Sequence, residues 1–286
     1  MTIALTSGMR SNLIALQNVD KLMTTTQNRL STGKRVNSAL DDPVNFFKSK
    51  DHYNRASDLA AKKDGMSEAV KVIEAANTGI EKIEDLLNQM KSLASAAKTS
   101  SNVGDLEDQY DKIIEQVTNM ASDSSYGGQN LLQLVSGGSA GDNNLAVEFN
   151  EDGSNTLTVS GFNIADSGSS GVTVTAGGNT ATITAADTVW TGDATTIEDS
   201  IGQIDNFISQ LRTEAQKLSS SLSTIQIRSE FTSEMVNTLN TGGDNLTLAD
   251  MNEEGANMLM LQTRQNLGTT SLSLASQAAQ AVLRLF

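Results

Sequence analysis

Asp41 and Asp42 are adjacent carboxylates, a residue pair that performs acid–base chemistry in some active sites. The chain has no Cys, and its one His is His52, so no obvious nucleophile or second base stands beside them. The pair therefore indicates a turn and a helix N-cap rather than catalysis. An open alternative is ion pairing with Lys34 or Arg35, including across a contact between subunits.

The sequence also lacks the residues that usually bind metal ions or phosphate. One His and no Cys are too few for a typical zinc site, and they exclude an HExxH metalloprotease motif. The glycine-rich stretches GGSAG (137–141) and TGGDN (241–245) are not followed by the Lys-Ser/Thr of a phosphate loop, so we interpret both as plain turns. The sequence thus predicts no catalytic residue, no cofactor, no metal and no enzyme activity.

The charge balance narrows the possible partners. The formal net charge is −14, which argues against binding to nucleic acid or to anionic membranes. Residues 1–50 nevertheless carry +4, whereas residues 135–195 carry seven acids and no base. No apolar run approaches the roughly 18 residues of a membrane span, and the first residues do not resemble a secretory signal peptide.

Narrow apolar seams predict long helices in the middle of the chain. Alternating steps of three and four residues meet only apolar side chains, a spacing typical of an α-helix that packs on other helices. The first seam is Met66, Ala69, Ile73, Ala76, Ile80, Ile83, Leu87, Met90, Ala94 and Ala97. The other two are Leu106, Tyr110, Ile113, Val117 and Met120, and then Ile197, Ile201, Ile204, Ile208, Leu211, Ala215, Leu218, Leu222 and Ile225.

Both ends of the chain carry weaker seams with polar breaks. The N-terminal seam is Met9, Leu13, Leu16, Asp20, Met23, Gln27 and Leu30. The C-terminal seam is Met258, Leu261, Gln265, Gly268, Leu272, Ala275, Ala279, Val282 and Phe286. Such helices are expected to pair with each other and still expose apolar surface, which neighbouring copies would cover. A contact repeated without closure produces a helical polymer.

Residues 135–190 follow a different pattern. Segments such as LAVEF and GVTVTAGGNTATIT alternate β-branched and polar residues between Gly, Asn and Ser turns, which predicts short strands and hairpins. No helical seam crosses this region, so it is interpreted as an insertion between the two halves of a helical bundle.

The stretch between the first two helices predicts a non-helical connector, Ser31–Asp42. Gly33 can take the left-handed conformation that closes a helix. Pro43, the chain's one proline, forces Asp42 away from helical angles and suits the first position of the next helix. Asp41 or Asp42 is the expected N-cap.

Three stretches together resemble bacterial flagellin. The N-terminal stretch, Asn12 to Asp42, contains RLSTGKRVNSALDD, similar to the family's N-terminal signature. YGGQNLL (126–132) is similar to its aromatic-Asn-Gly-x-x-Leu-Leu turn, with Gly127 in place of Asn. The C-terminal stretch, Leu246 to Phe286, contains LADMNEEGANMLMLQTRQNLG and ends in LRLF. The resemblance covers the chain except about 135–192.

The resemblance implies a mainly α fold, a long antiparallel helical bundle formed by the N- and C-terminal regions with a small β-rich central insertion. Its expected parts are a filament-core helical pair (1–45 plus 246–286), an outer bundle (46–134 plus 195–245) and a surface-exposed variable domain (135–194). The implied function is self-polymerisation into the filament used for swimming. A hook–filament junction protein is the alternative, because Asp-Asp-Pro also occurs there. A non-flagellar coiled-coil surface protein is another.

The resemblance also implies partners and a place. The partners are other copies, the flagellar export apparatus and its chaperone, the filament cap and the hook–filament junction protein. The place is outside the cell, after export without a cleaved signal peptide. The expected connector is Gly33, Asp41, Asp42 and Pro43. The expected polymerisation interface is Leu13, Leu16, Met23, Leu30, Lys34, Arg35, Leu261, Leu272, Val282 and Phe286.

Overall fold

The computed structural model describes residues 7–134, 143–166, 171–186, 190 and 194–283. This part of the chain contains five helices: α1 (Ser7–Thr32), α2 (Pro43–Ala97), α3 (Val103–Asp123), α4 (Ala194–Thr247) and α5 (Met251–Leu283). Seven short strands lie between α3 and α4: β1 (Ser125–Tyr126), β2 (Gln129–Asn130), β3 (Leu145–Glu148), β4 (Thr156–Val159), β5 (Asn163–Asp166), β6 (Val172–Ala176) and β7 (Asn179–Ile183). The predicted fold class, mainly α with a small β-rich central region, is confirmed.

The chain forms two compact units. Unit 1 comprises Met1–Ala56 and Asn237–Phe286, and unit 2 comprises Ser57–Val236. The long helices α2 and α4 each contribute a segment to both units. The division into core pair, outer bundle and variable domain stays a prediction.

The seams of unit 2 pack as their spacing predicts, and every member is either buried or packs half-buried against the core. All ten residues of the α2 seam are at most 3% exposed. Ion pairs flank the seam: Lys91 with Asp205 at 2.5 Å, Lys98 with Glu198 at 3.2 Å, and Arg212 with Glu84 at 3.4 Å. Residue numbers rise along α2 as they fall along α4, so these segments run antiparallel. The apolar seam carries the stability, because exposed ion pairs contribute only about 0–1 kcal/mol each.

The strands form three small antiparallel sheets. β1 pairs with β2 across Gly127 and Gly128, both at positive φ, where glycine is favoured because it lacks a Cβ. β3 pairs with β4, and β5, β6 and β7 follow one another in a three-stranded sheet. The hairpins predicted in the central region are confirmed, while GGSAG (137–141) lies outside the described residues.

These strands share one hydrophobic core with the helices. β5 and β6 pack against α3, and the buried residues Ile164 and Val174 belong to the same cluster as the α3 seam. The Trp190 ring lies 4.8 Å from the Tyr110 ring, centroid to centroid, and its indole N–H donates to Ser200 Oγ at 3.0 Å. Burial raises the pKa of Tyr110. The inner faces of the strands are therefore part of the core of unit 2.

The prediction of a turn at TGGDN (241–245) is wrong. These residues lie inside α4, which continues to Thr247. The reason is packing: a Cβ on Gly243 would come within 2.9 Å of the Tyr53 ring. Gly243 thus allows α2 and α4 to approach closely, rather than allowing the chain to turn.

If strands and helices share a core, one substitution in β5 should weaken both. Ile164 is fully buried, so Ile164→Ala should lower the free energy of unfolding by about 2–5 kcal/mol. Unfolding in urea can be followed by Trp190 fluorescence and, for the helices, by circular dichroism. Both signals should change in the same transition, at a lower urea concentration than in the wild type. A shift in fluorescence alone would mean that the strands unfold independently of the helices.

Candidate functional site

Two connectors lie side by side in unit 1 where four helices begin or end. We call residues 33–42, between α1 and α2, and residues 248–250, between α4 and α5, the connector pair. Thr247 O accepts from the backbone N–H groups of Arg35 at 2.7 Å and Val36 at 3.2 Å, and the Ala249 N–H donates to Gly33 O at 3.0 Å. Thr247 and Val36 are both buried. This short antiparallel pairing holds the ends of the helices together.

Gly33 closes α1 as predicted. Its φ is +68°, and its N–H donates to Arg29 O at 2.8 Å, the hydrogen bond of a left-handed helix terminus. The space around it is open, so glycine is required for the backbone conformation rather than for packing.

Asp41 and Asp42 have separate structural roles. Asp41 Oδ2 accepts from the Asn37 N–H at 3.1 Å and the Ser38 N–H at 2.9 Å. Asp42 Oδ1 accepts from the Asn45 N–H at 3.1 Å, so of the two expected candidates Asp42 is the N-cap before Pro43. The backbone hydrogen bond from Ser38 is the main cause that lowers the pKa of Asp41, and that from Asn45 lowers the pKa of Asp42. Both carboxylates are held ionised to shape the connector.

The side chains of Lys34 and Arg35, the two basic residues of the connector, lie in different environments. Lys34 is half-buried, with Nζ 6.0 Å from the centroid of the Tyr53 ring. Arg35 is exposed, and its charge contributes to the lowered pKa of Asp42. Among the described residues, neither base comes within ion-pair distance of Asp41 or Asp42. In the described part of the chain, Lys34 and Arg35 are therefore not salt-bridged to these two carboxylates, and pairing across a contact between subunits stays a prediction.

The helices beneath the connector pair are held by a polar contact. The Tyr53 hydroxyl donates to Asp244 Oδ1 at 2.6 Å. Burial, followed by this hydrogen bond, raises the pKa of Tyr53. Lys34, Val36, Phe46 and Tyr53 line a cavity of about 290 Å³ beside it.

Helices α1 and α5 form an antiparallel pair. Asn12 Nδ2 donates to Ser271 Oγ at 3.3 Å near one end, and Arg29 Nη1 donates to the buried Glu254 Oε1 at 2.9 Å near the other. Between them, a Cβ on Gly268 would come within 2.6 Å of Leu16. Gly268 looks like a break in the seam, but it makes room for Leu16.

Half of the ten predicted interface residues are covered within the α1–α5 pair itself. Leu261 is buried, and four others are half-buried: Leu16, Met23, Leu30 and Leu272. Leu13 is exposed. Phe286 and the side chain of Val282 lie outside the described residues. The predicted seam thus places these residues largely between helices of one chain, and whether they also contact another copy stays a prediction.

A second apolar set was missed by the sequence reasoning. It remains exposed on the outside of the pair, and we call it the outer apolar set: Ile14, Leu22, Leu259, Met260, Leu267 and Leu274. Leu267 and Leu274 are 65% and 62% exposed. Met260, Leu267 and Leu274 follow one another at seven-residue spacing, the signal that could have found them.

The described residues carry neither a metal-binding cluster nor a membrane-spanning helix. No group of three or more His, Cys, Asp or Glu is placed to hold a metal ion in this part of the chain. No helix in the same part is long and apolar enough to cross a membrane.

Two family models match the chain. One, described as the bacterial flagellin N-terminal helical region, matches residues 3–136, and the other, the C-terminal helical region, matches residues 196–286. Flagellin FljM of Caulobacter vibrioides is 31% identical, over 96% of this chain and 95% of the relative. The flagellin of Brucella melitensis is 27% identical, over 100% and 99%. A crystal structure of Bacillus cereus flagellin has a TM-score of 0.43 at 15% identity, covering 59% of this chain and 88% of that one.

Two adjacent glycines test the close packing beneath the connector pair. Gly243→Ala should push against the Tyr53 ring and destabilise unit 1 by about 1–3 kcal/mol. Gly242→Ala is the matched control: its Cβ would meet only His52, at 3.9 Å, so it should be neutral or stabilise α4 by up to about 1 kcal/mol. Hydrogen exchange of the backbone amides of residues 33–36 measures the stability of unit 1 in both variants. Equal protection in the two variants would contradict the packing argument.

Proposed function

The chain belongs to the bacterial flagellin family and is a structural subunit of the flagellar filament, and we propose that unit 1 makes the contacts between copies. One observation carries this proposal: the outer apolar set remains exposed after α1 and α5 have buried each other. Burying a large apolar side chain stabilises by about 1.5–3 kcal/mol, and each copy in a polymer repeats that gain. Polymerisation would bury this surface from solvent.

The proposed contacts include the residues expected from the sequence. Residues 1–45 and 246–286 would form the filament core, with the connector pair joining them to an outer bundle of residues 46–134 and 195–245. Residues 135–194 would face solvent, which their acidic composition favours. Lys34 and Arg35 would meet carboxylates of a neighbour, and Leu13, Val282 and Phe286 would lie in apolar contacts with other copies.

We also propose the partners that such a subunit needs before and during assembly. A chain with exposed apolar surface on α1 and α5 requires cover before it is incorporated. An export chaperone, the flagellar export apparatus, the filament cap and the hook–filament junction protein would supply it in turn, on the way to the outside of the cell. We propose that export uses no cleaved signal peptide and that the subunit catalyses no reaction.

Leu267 and Leu274, which lie seven residues apart in the outer apolar set, provide a test of the filament role. The double variant Leu267→Ser, Leu274→Ser should raise the critical concentration for seeded polymerisation by about tenfold or more, because two exposed leucines could no longer be buried between copies. Sedimentation and electron microscopy measure it. The variant Leu267→Met, Leu274→Met keeps the apolar surface and should polymerise normally.

The same experiment can contradict the proposal. Both leucines are exposed, so the melting temperature of the monomer should be unchanged in the Ser variant. If its filaments form at the wild-type critical concentration, the outer apolar set does not contact neighbouring copies.

A further inference from the structure

Two methionines are exposed in the described part of the chain, and both lie on α5. Met251 and Met260 are 48% and 47% exposed, whereas Met66 and Met90 are fully buried in the core of unit 2. The other methionines that the structure describes are buried or half-buried: Met9, Met23, Met120, Met235 and Met258. Solvent therefore reaches the thioether groups of this chain very unequally.

Met258 and Met260 show the contrast within one helix. Positions two apart point to nearly opposite sides of a helix with 3.6 residues per turn. Met258 belongs to the C-terminal seam and is half-buried, whereas Met260 belongs to the outer apolar set. The positions three and four before and after Met260 carry Asn, Ala, Thr and Arg, so no large apolar neighbour on its own helix face covers the sulfur.

An exposed thioether is a target for two-electron oxidants. The sulfur takes one oxygen atom from hydrogen peroxide and loses two electrons, and the second peroxide oxygen leaves as water with both hydrogens. The product is methionine sulfoxide, which is polar where the original side chain was apolar. Methionine sulfoxide reductases reverse the reaction, so it can act as a switch.

The position of Met260 gives this reaction a consequence. Leu267 and Leu274 follow Met260 at seven-residue spacing, so the three side chains form one apolar stripe along α5. In the proposed filament, this stripe would be buried between copies. A sulfoxide in the stripe would have to leave water as well, and burying a polar group without a hydrogen-bond partner is unfavourable.

We infer that Met260 is a site of reversible oxidation by peroxides, and that its sulfoxide keeps the free subunit out of the filament. This inference rests on the proposed function and adds regulation to it. Oxidation acts on the monomer, in which the sulfur is accessible, and assembly then shields the sulfur from further reaction.

The first measurement compares rates of oxidation in the full chain. The variant Met251→Leu leaves Met260 as the one exposed methionine of the described residues. In dilute hydrogen peroxide, tandem mass spectrometry should find Met260 oxidised about fivefold or more faster than Met258 in the folded monomer, and at a similar rate in urea. In filaments elongated from seeds of this chain alone, Met260 should react about tenfold or more slowly than in the monomer.

Assembly of the same Met251→Leu chain is the second measurement. Oxidation should raise the critical concentration about tenfold or more, and methionine sulfoxide reductases A and B, which together reduce both epimers, should restore it. Adding Met260→Gln should imitate the sulfoxide, whereas adding Met260→Leu should permit normal assembly and make it resistant to peroxide. Because Met260 is exposed, neither substitution should change the melting temperature of the monomer.

Three results would overturn the inference. One is oxidation of Met260 no faster than that of Met258 in the folded monomer, or equally fast in monomer and filament. The second is loss of assembly after peroxide treatment of the Met260→Leu chain, which would trace the effect to another residue. The third is normal assembly of Met260→Gln. If that variant assembles while Leu267→Ser, Leu274→Ser does not, the inference fails and the proposed function stands.

Discussion

The backbone pairing of residues 33–36 with 247–249 is the constraint on which unit 1 depends. Thr247 O accepts two N–H groups from the first connector, and Gly33 O accepts one from the second. These bonds join the residues that follow α1 to the junction of α4 and α5, and so they fix where α1 and α5 begin to pair. The ion pair of Arg29 with Glu254 and the packing of Leu16 against Gly268 then continue the same antiparallel alignment. A change of register at the connectors would misplace both contacts.

This alignment also decides which apolar residues of α1 and α5 stay exposed. The seam leucines that point into the α1–α5 pair are used inside one chain, whereas Leu259, Leu267 and Leu274 remain outside. The subunit therefore carries two kinds of apolar surface, one that stabilises its own fold and one that, in the proposed filament, would be buried only on association. Its acidic central region and net charge of −14 favour solubility until that association takes place.

The long helices could be predicted because their seams are unbroken. Each seam residue from Met66 to Ala97 is apolar and buried, so periodicity alone was sufficient. The closing turn at Gly33 followed from local chemistry, as did an N-cap at Asp41 or Asp42, and the structure then identifies Asp42 as the cap. Gly243 and Gly268 could not be interpreted, because a glycine that ends a helix and one that admits a neighbouring side chain look alike in sequence. Pairing of the two connectors joins residues more than 200 positions apart, which no local pattern encodes.

The central claim is that assembly buries the outer apolar set while the connector pair keeps its structure. A helical reconstruction of the filament by cryo-electron microscopy, at a resolution that shows side chains, tests this most directly. In the filament, the bonds from Arg35 and Val36 to Thr247 should persist, and Leu267 and Leu274 should be covered by neighbouring copies. Filaments in which these leucines face solvent, or in which residues 33–36 have separated from 247–249, would contradict it.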